Sequence, residues 1–369
     1  MNNERSLLKA VNIPLLVIIG LLLVYGTVMI RSATFGMDAA SGMLKRHALG
    51  IALGLVLMAI AWAIDYRKLQ AWVGPLLVLV AFLILMPRIP GIGAAAKGAT
   101  SWVQIGGFRL FQPSEPAKLV TIVIMAAVIA RYKGSIERPV DVAKIVGIML
   151  IPLGLILLQP DLGTGLVFVA ITMGMLLVGG LKGRYFLVFA LIAVLATGTV
   201  FKLHLLEQYQ EDRLMVFVDP ARDPQGAGYN LEQSKIAIGS GEVAGKGLKR
   251  GSQGNLNFLP ERHTDFIFSV LGEEMGFLGG VLLLGLYFAL MLTSLEIAAS
   301  SRDLFGTLIV VGVMSMWLFQ VLENMGMTIG LMPITGIPLP FMSYGSSFLV
   351  TNLAATGMLL SVWSRRIVA

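Results

Sequence analysis

Six charged or titratable side chains crowd into one short stretch: Glu261, Arg262, His263, Asp265, Glu273 and Glu274, within NLNFLPERHTDFIFSVLGEEMG at 255–276. Long apolar regions lie on either side. Asp265 is followed by Phe266, Ile267 and Phe268. A carboxylate partly withdrawn from water beside such residues becomes a stronger base, suited to taking a proton from a hydroxyl nucleophile. Arg262 and His263 oppose that shift where they face it. A second reading stands beside the first. Pro260 breaks the preceding segment, and Thr264 or Asp265 then serves as cap to a helix running through FIFSVLGEEMG.

The other charges that enter apolar segments have a pattern. Glu115 and Lys118 open one segment in FQPSEPAKLV, three residues apart, and so share a helix face and can pair. Asp161 sits in QPDLGT, where it can cap the next helix. Lys202 and Glu323 end two further segments, while Glu296 alone lies near an opposite end. A charge inside a bilayer costs about 2.5–3.5 kcal/mol on insertion scales, so each marks function by default. None falls at the centre of a segment. A carrier of charged solutes usually places polar groups at mid-membrane; gathering them at one surface favours the processing of something already outside. His47, His204 and His263 lack metal-ligand spacing, and His47 is expected at the interface. There is no Walker loop and no Gly-x-Ser-x-Gly elbow.

These residues need elements to hold them, and the composition says which. Of 369 residues, 56% are hydrophobic and only 13% charged, about half the charged share of a soluble domain. The apolar residues run in stretches of about 18 or more, the length that spans a bilayer as helix. The expected fold is an all-α polytopic membrane protein with ten transmembrane helices, at roughly 13–30, 47–64, 69–86, 114–130, 145–159, 163–180, 185–202, 276–298, 304–323 and 346–363. The first run has no small-residue cleavage site after it and is read as a retained helix. Cysteine is absent, which excludes disulfides and thiol chemistry.

Arg5, Lys9, Arg67, Lys68, Arg131, Lys133, Arg138, Lys144, Lys182, Arg184, Arg302, Arg365 and Arg366 fall on one side of this topology. The positive-inside rule assigns that side, and both termini, to the cytoplasm. The net charge of +7 is thus topology signal and headgroup contact, not a nucleic-acid footprint. One outer loop stands apart, residues 204–265 between helices 7 and 8, too long for a simple connection. RLMVFV at 213–218 and SKIAIG at 234–239 read as short amphipathic helices of an ordered cap. The whole chain, 1–369, is taken as a single membrane domain.

FLPERHTDFIFSVLGEEMGFLG at 258–279 resembles the signature of the SEDS family (shape, elongation, division and sporulation). FQPSEPAKL at 111–119, QPDLGTGLVF at 159–168, GYNLEQSKIAIGSGEVAGKG at 228–247 and GLMPITGIPLPFMSYGSS at 330–347 extend the resemblance along nearly the whole chain. Arg262 and the ITGIPLPF wording lean toward the RodA branch rather than the FtsW branch. Two positions depart from the pattern: Ser101 stands where the family often has Arg, with Arg109 or Lys97 as substitutes, and Ser346 stands where it has Gly.

The resemblance implies a peptidoglycan glycosyltransferase that polymerises lipid II, an undecaprenyl diphosphate-linked precursor, at the outer face of the cytoplasmic membrane. A class B penicillin-binding protein is the implied partner. The family's essential aspartate falls on Asp265, and its outer-end pair on Glu115 and Lys118. An acceptor hydroxyl attacks the anomeric carbon and lipid diphosphate leaves with inversion. Asp265 is then the base, and Lys118, Arg262 and Arg213 are the cations for the departing diphosphate, a divalent metal such as Mg2+ or Mn2+ being the alternative. Arg109, Asp161 and Ser343 complete the substrate-binding candidates. A lipid II flippase and a non-enzymatic scaffold for cell-wall synthases are the rival readings.

Overall fold

The computed structural model describes residues 11–366, apart from 92, 97–98, 106–107, 204–207, 220–222, 225 and 253–258. It is built almost wholly of helices: α1 Ile13–Ala33, α2 Ala40–Ala63, α3 Val73–Leu85, α4 Ser114–Ala130, α5 Pro139–Leu157, α6 Leu162–Val178, α7 Gly183–Lys202, α8 Gln208–Val218, α9 Ala227–Ser240, α10 Ile267–Ala299, α11 Leu304–Ile329 and α12 Ser346–Ser364. A helix satisfies its own backbone, which the bilayer interior requires. Every one of the ten apolar segments is helical. Seven helical segments are long and apolar enough to cross a membrane, and 162–178 and 183–199 are shorter apolar helices. The 17-residue α4 begins with the charged pair.

Local signals set several ends. Asn12 caps α1, its Oδ1 accepting from the Leu15 N–H at 2.9 Å. Asp303 caps α11 in the same way through Gly306 N–H at 2.7 Å, and α11 stops at Gly330 in the left-handed region, φ 78°. The fifth predicted segment starts too late: α5 begins at Pro139, whose fixed φ suits a first helical turn, and Asp141 and Lys144 obscured that start in the sequence. The second outer connection contains a feature the all-helical expectation lacks. β1 Gly93–Ala96, β2 Ala99–Ile105 and β3 Phe108–Phe111 form a small antiparallel sheet in the order β1-β2-β3.

α4 and α11 hold the centre, with nearly all of α4 buried. α2 and α12 pack closely through small residues: Gly54 lies against Leu353, and Gly357 against the Met58 carbonyl. Outward faces of α2 and α7 present Leu49, Leu53, Val56, Leu187, Leu191 and Leu195, as lipid-facing helices do. At one end Arg365 donates to the Trp62 and Ala63 carbonyls at 3.2 and 2.9 Å. Near the other end a second, smaller core gathers Val216 of α8, Leu231 of α9, Leu259, Phe266, Met327 and Ile334. It packs the two short helices onto the stretch leading into α10.

α10 is not one continuous helix. Gly276 has φ 62° and ψ −161°, a conformation open essentially to glycine alone. The break separates carbonyls and N–H groups that would have bonded along the helix, and the segment 242–247 takes them up. Lys246 N–H and Gly247 N–H donate to the Glu273 and Glu274 carbonyls at 3.0 and 2.9 Å. Phe277 N–H and Leu278 N–H donate to the Glu242 and Val243 carbonyls at 2.9 and 3.1 Å. Irregular backbone at the edge of an apolar segment is tolerated because protein satisfies it.

Candidate active site

Asp265 is buried, 7% exposed, one residue before the N-cap of α10. That cap is Phe266, which makes no side-chain cap bond, so the helix start falls just after the expected Thr264 or Asp265. Thr264 instead donates from Oγ1 to Glu261 Oε2 at 2.9 Å. The Asp265 carboxylate faces Gly336, where a Cβ would stand 3.2 Å from Oδ2. Gly336 has φ 73°, so both space and backbone call for glycine.

What fixes Asp265 is the connection between α11 and α12. Asn324, fully buried on α11, donates from one Nδ2 to the carbonyls of Asp265 and Ile337, each at 2.8 Å. Ser343 Oγ donates to the Thr264 carbonyl at 2.6 Å and accepts from Leu339 N–H at 2.8 Å. Tyr344 N–H donates to the His263 carbonyl at 2.9 Å, and Tyr287 on α10 donates to the Pro340 carbonyl at 2.6 Å. Residues 263–265 are thus stitched to 337–344 from both sides.

The other end of the same connection meets α4. Lys118 Nζ donates to Glu115 Oε1 at 2.9 Å, with side-chain exposures of 3% and 6%. The ammonium also sits 5.5 Å from the centre of the Phe348 ring on α12, within cation–π range. Gln112 N–H donates to Ser347 Oγ at 3.1 Å, tying the sheet side of α4 to the start of α12. Glu115 Oε2 is buried and has no hydrogen-bond partner among the described residues. A buried carboxylate oxygen in that condition is costly unless something else meets it.

The remaining sequence candidates divide by position. Asp161 caps α6, its carboxylate accepting from Thr164 N–H at 2.9 Å and Oγ1 at 2.8 Å; there the structural reading holds. Arg262 is 2% exposed, and its Nε donates to the Ala33 carbonyl at 2.6 Å, which pins the entry to α10 against the end of α1. Burial lowers its pKa from the usual guanidinium value. Ser343 is likewise buried, committed to backbone on both sides. Arg213 is half-buried on α8, and Gln210 one turn earlier donates to the Pro160 carbonyl at 3.0 Å. The Arg109 side chain, Lys97 and His204 lie outside the described residues. His47 is buried rather than interfacial, its Nε2 3.2 Å from Thr27 Oγ1.

Of the two departures from the family wording, Ser346 is accommodated locally, while the buried Ser101 hydroxyl meets no hydrogen-bond partner among the described residues. Ser346 faces Gly50, where a Cβ would come within 3.4 Å of the Ser346 Cα, so a small residue on α2 leaves room for it. Ser101 is buried on β2.

The sequence marked Glu323 as a charge ending an apolar segment without tying it to this site, and it gave Asn324 no role. Glu323 is buried on α11 and accepts from Thr335 Oγ1 at 2.7 Å, one residue from Gly336. A buried Glu-Asn pair at the end of an apolar run was the available signal. For a divalent cation, no cluster of three His, Cys, Asp or Glu side chains occurs among the described residues. Lys118 already occupies one Glu115 oxygen.

The fold and the site together define a multi-pass membrane protein with buried acid and base groups at one end. Residues 6–366 match the cell cycle protein family FtsW/RodA/SpoVE, and the chain belongs to that family. It is 40% identical over 356 residues to the peptidoglycan glycosyltransferase MrdB of Escherichia coli (strain K12), covering 95% of this chain and 93% of that protein. One similar solved structure concerns the coordination of polymerization and crosslinking by a peptidoglycan synthase complex. It has a TM-score of 0.81 and 32% identity, over 96% of this chain and 98% of that one. Another is the rod shape determining protein RodA of Thermus thermophilus, with TM-score 0.71 and 30% identity, over 97% and 98%.

Proposed function

We propose that this chain is a peptidoglycan glycosyltransferase that polymerises lipid II at the outer membrane face and serves cell elongation and shape. The observation that carries the reading is the full-length similarity to a relative of that activity. The site supplies a chemical role for each residue. Asp265 accepts the proton of the acceptor sugar hydroxyl as its oxygen bonds to the donor's anomeric carbon. The carbon–oxygen bond to lipid diphosphate breaks on the opposite side, and the leaving group takes the electron pair. Lys118 meets that developing charge, oriented by Glu115, and Arg213 is the second cation. Asn324, Ser343 and Arg262 position the base through the backbone.

The groups are nearly closed off, with exposures of 7% for Asp265 and 2% for Lys118. Burial of this kind keeps out the water that would otherwise hydrolyse the donor. A class B penicillin-binding protein crosslinks the strands, and both termini lie in the cytoplasm. The test is polymerisation of lipid II by the purified protein, alone and with that partner. Asp265→Asn is expected to leave a folded, inserted protein without polymerase activity. Near wild-type polymerisation by Asp265→Asn overturns the assignment, and inner-to-outer lipid II movement without polymerisation points to the flippase.

A further inference from the structure

At the membrane end opposite Asp265, the last turn of α4 and the first turns of α5 diverge around a groove of about 340 Å³. Its mouth carries Arg131 and Lys144, both exposed, with Tyr132 between the helices. Its walls are Val128 from α4 and Ile148 and Ile151 from α5. Gly147 forms the floor, and a Cβ built there would meet nothing within 4 Å. The groove is remote from the active site and has no part in the chemistry proposed there.

Its charge is one-sided. Asp141 is the acidic neighbour, and its charge, after burial, raises the pKa of the Tyr132 hydroxyl. Asp141 is thus engaged on the tyrosine side. Arg131 and Lys144 outnumber it, and Lys133 and Arg138 follow in the connecting turn. This is also the end where Lys182 pairs with Glu137 at 3.4 Å, the arginine- and lysine-rich face that positive-inside bias assigns to the cytoplasm. From Lys144 to Ile151 the helix descends about 10 Å at 1.5 Å per residue. Cations at the interface therefore continue into an apolar wall deep enough for the upper part of an acyl chain.

We propose that this groove binds one anionic phospholipid of the inner leaflet. Its phosphodiester lies on Arg131 and Lys144, and one acyl chain lies along Val128, Ile148 and Ile151 over Gly147. Basic pockets between membrane helices on the cytoplasmic side recognise anionic headgroups in this way. The apolar wall is what a free phosphate ion would leave unused, so the lipid is the occupant the groove fits.

The full-length protein is purified and placed in nanodiscs of phosphatidylcholine with phosphatidylglycerol, and lipid retained on gentle delipidation is counted by native mass spectrometry. The wild type is expected to retain phosphatidylglycerol over phosphatidylcholine. The double variant Arg131→Glu/Lys144→Glu is expected to weaken that retention about thirtyfold, which is about 2 kcal/mol. Gly147→Phe fills the groove while leaving both cations in place, and is expected to lose retention as well; Gly147→Leu serves where the larger residue impairs folding. Arg131→Lys/Lys144→Arg keeps the charge and should retain the lipid. Inorganic phosphate, added as competitor, should not displace it. Equal retention of both lipids, no effect of the Glu pair or of filling at Gly147, or displacement by phosphate would each overturn the proposal. Copurification of a cytoplasmic polypeptide in place of lipid would overturn it too.

Discussion

Lys118→Met offers the sharpest test of the site, because the structure fixes both what it breaks and what a bystander role would look like. The ammonium is 2.9 Å from Glu115 Oε1, and both side chains are almost fully buried. At an effective dielectric constant of about 20, two unit charges at that distance attract by about 6 kcal/mol. Desolvation of both ions offsets most of that, yet removing one partner strands the other and typically costs about 3–5 kcal/mol. Glu115 is already short of one bond at Oε2, so the stranded carboxylate has no ready substitute for the lysine. Lys118→Met alone should therefore lower the melting temperature of the detergent-solubilised protein by several degrees. Adding Glu115→Gln removes the stranded charge, and should recover about 2–3 kcal/mol relative to the sum of the single changes, the coupling expected of residues in contact. Polymerisation of lipid II is then measured on the same samples. If Lys118 stabilises the leaving diphosphate, the double variant melts near the wild-type temperature and remains inactive. A double variant that recovers both stability and polymerisation would refute the catalytic reading and leave an ion pair with a purely structural task. An unchanged melting temperature in Lys118→Met would refute the burial argument itself.

Three other substitutions probe the frame. Gly276→Ala places a Cβ 2.4 Å from the Gly245 nitrogen, in a backbone region worth about 1–3 kcal/mol of strain for non-glycine residues; a loss of folded protein on expression, or a lower melting temperature, checks this. Asn324→Ala removes both bonds to the Asp265 and Ile337 carbonyls, at about 1–3 kcal/mol for the groups left unmet. It should lower kcat more than it raises KM, whereas a role in stability alone would leave both unchanged in the fraction that stays folded. Gly336→Ala sets a methyl 3.2 Å from Asp265 Oδ2 at φ 73°; polymerase activity should fall sharply while membrane insertion, followed by protease accessibility, is retained.

The similarity to MrdB and RodA also bears on how little of this site is local. Asp265 lies 147 residues after Lys118 and 71 before Gly336, by subtraction of their sequence numbers, and only the packing of α4, α10, α11 and α12 brings their neighbourhoods together.

The sequence by itself determined the helices. Long apolar runs with polar ends must be helical in a bilayer, because no other single segment satisfies its own backbone there, and the apolar segments read from the sequence are helical, seven of the described helical segments being long and apolar enough to cross a membrane. It also placed the charges at one surface, and it marked the Glu115–Lys118 pair, since a spacing of three on a helix leaves little choice of partner. The cap that Asp161 offers to the next helix was legible, and its carboxylate makes those bonds at the start of α6 while it stays a substrate-binding candidate. Tertiary structure decided the rest. Asp265 looks like a cap on paper, but its backbone is captured by Asn324 and the 337–344 connection, so its side chain is turned to Gly336 instead. Arg262 Nε and Ser343 Oγ are bonded to distant carbonyls, on Ala33 and Thr264, that no local sequence signal points to. The small sheet at 93–111 and the break at Gly276 were hidden for the same reason. Both depend on hydrogen bonds to segments that periodicity does not see, and in α10 those come from residues 242–247, folded back onto a helix that runs apolar on either side of the break.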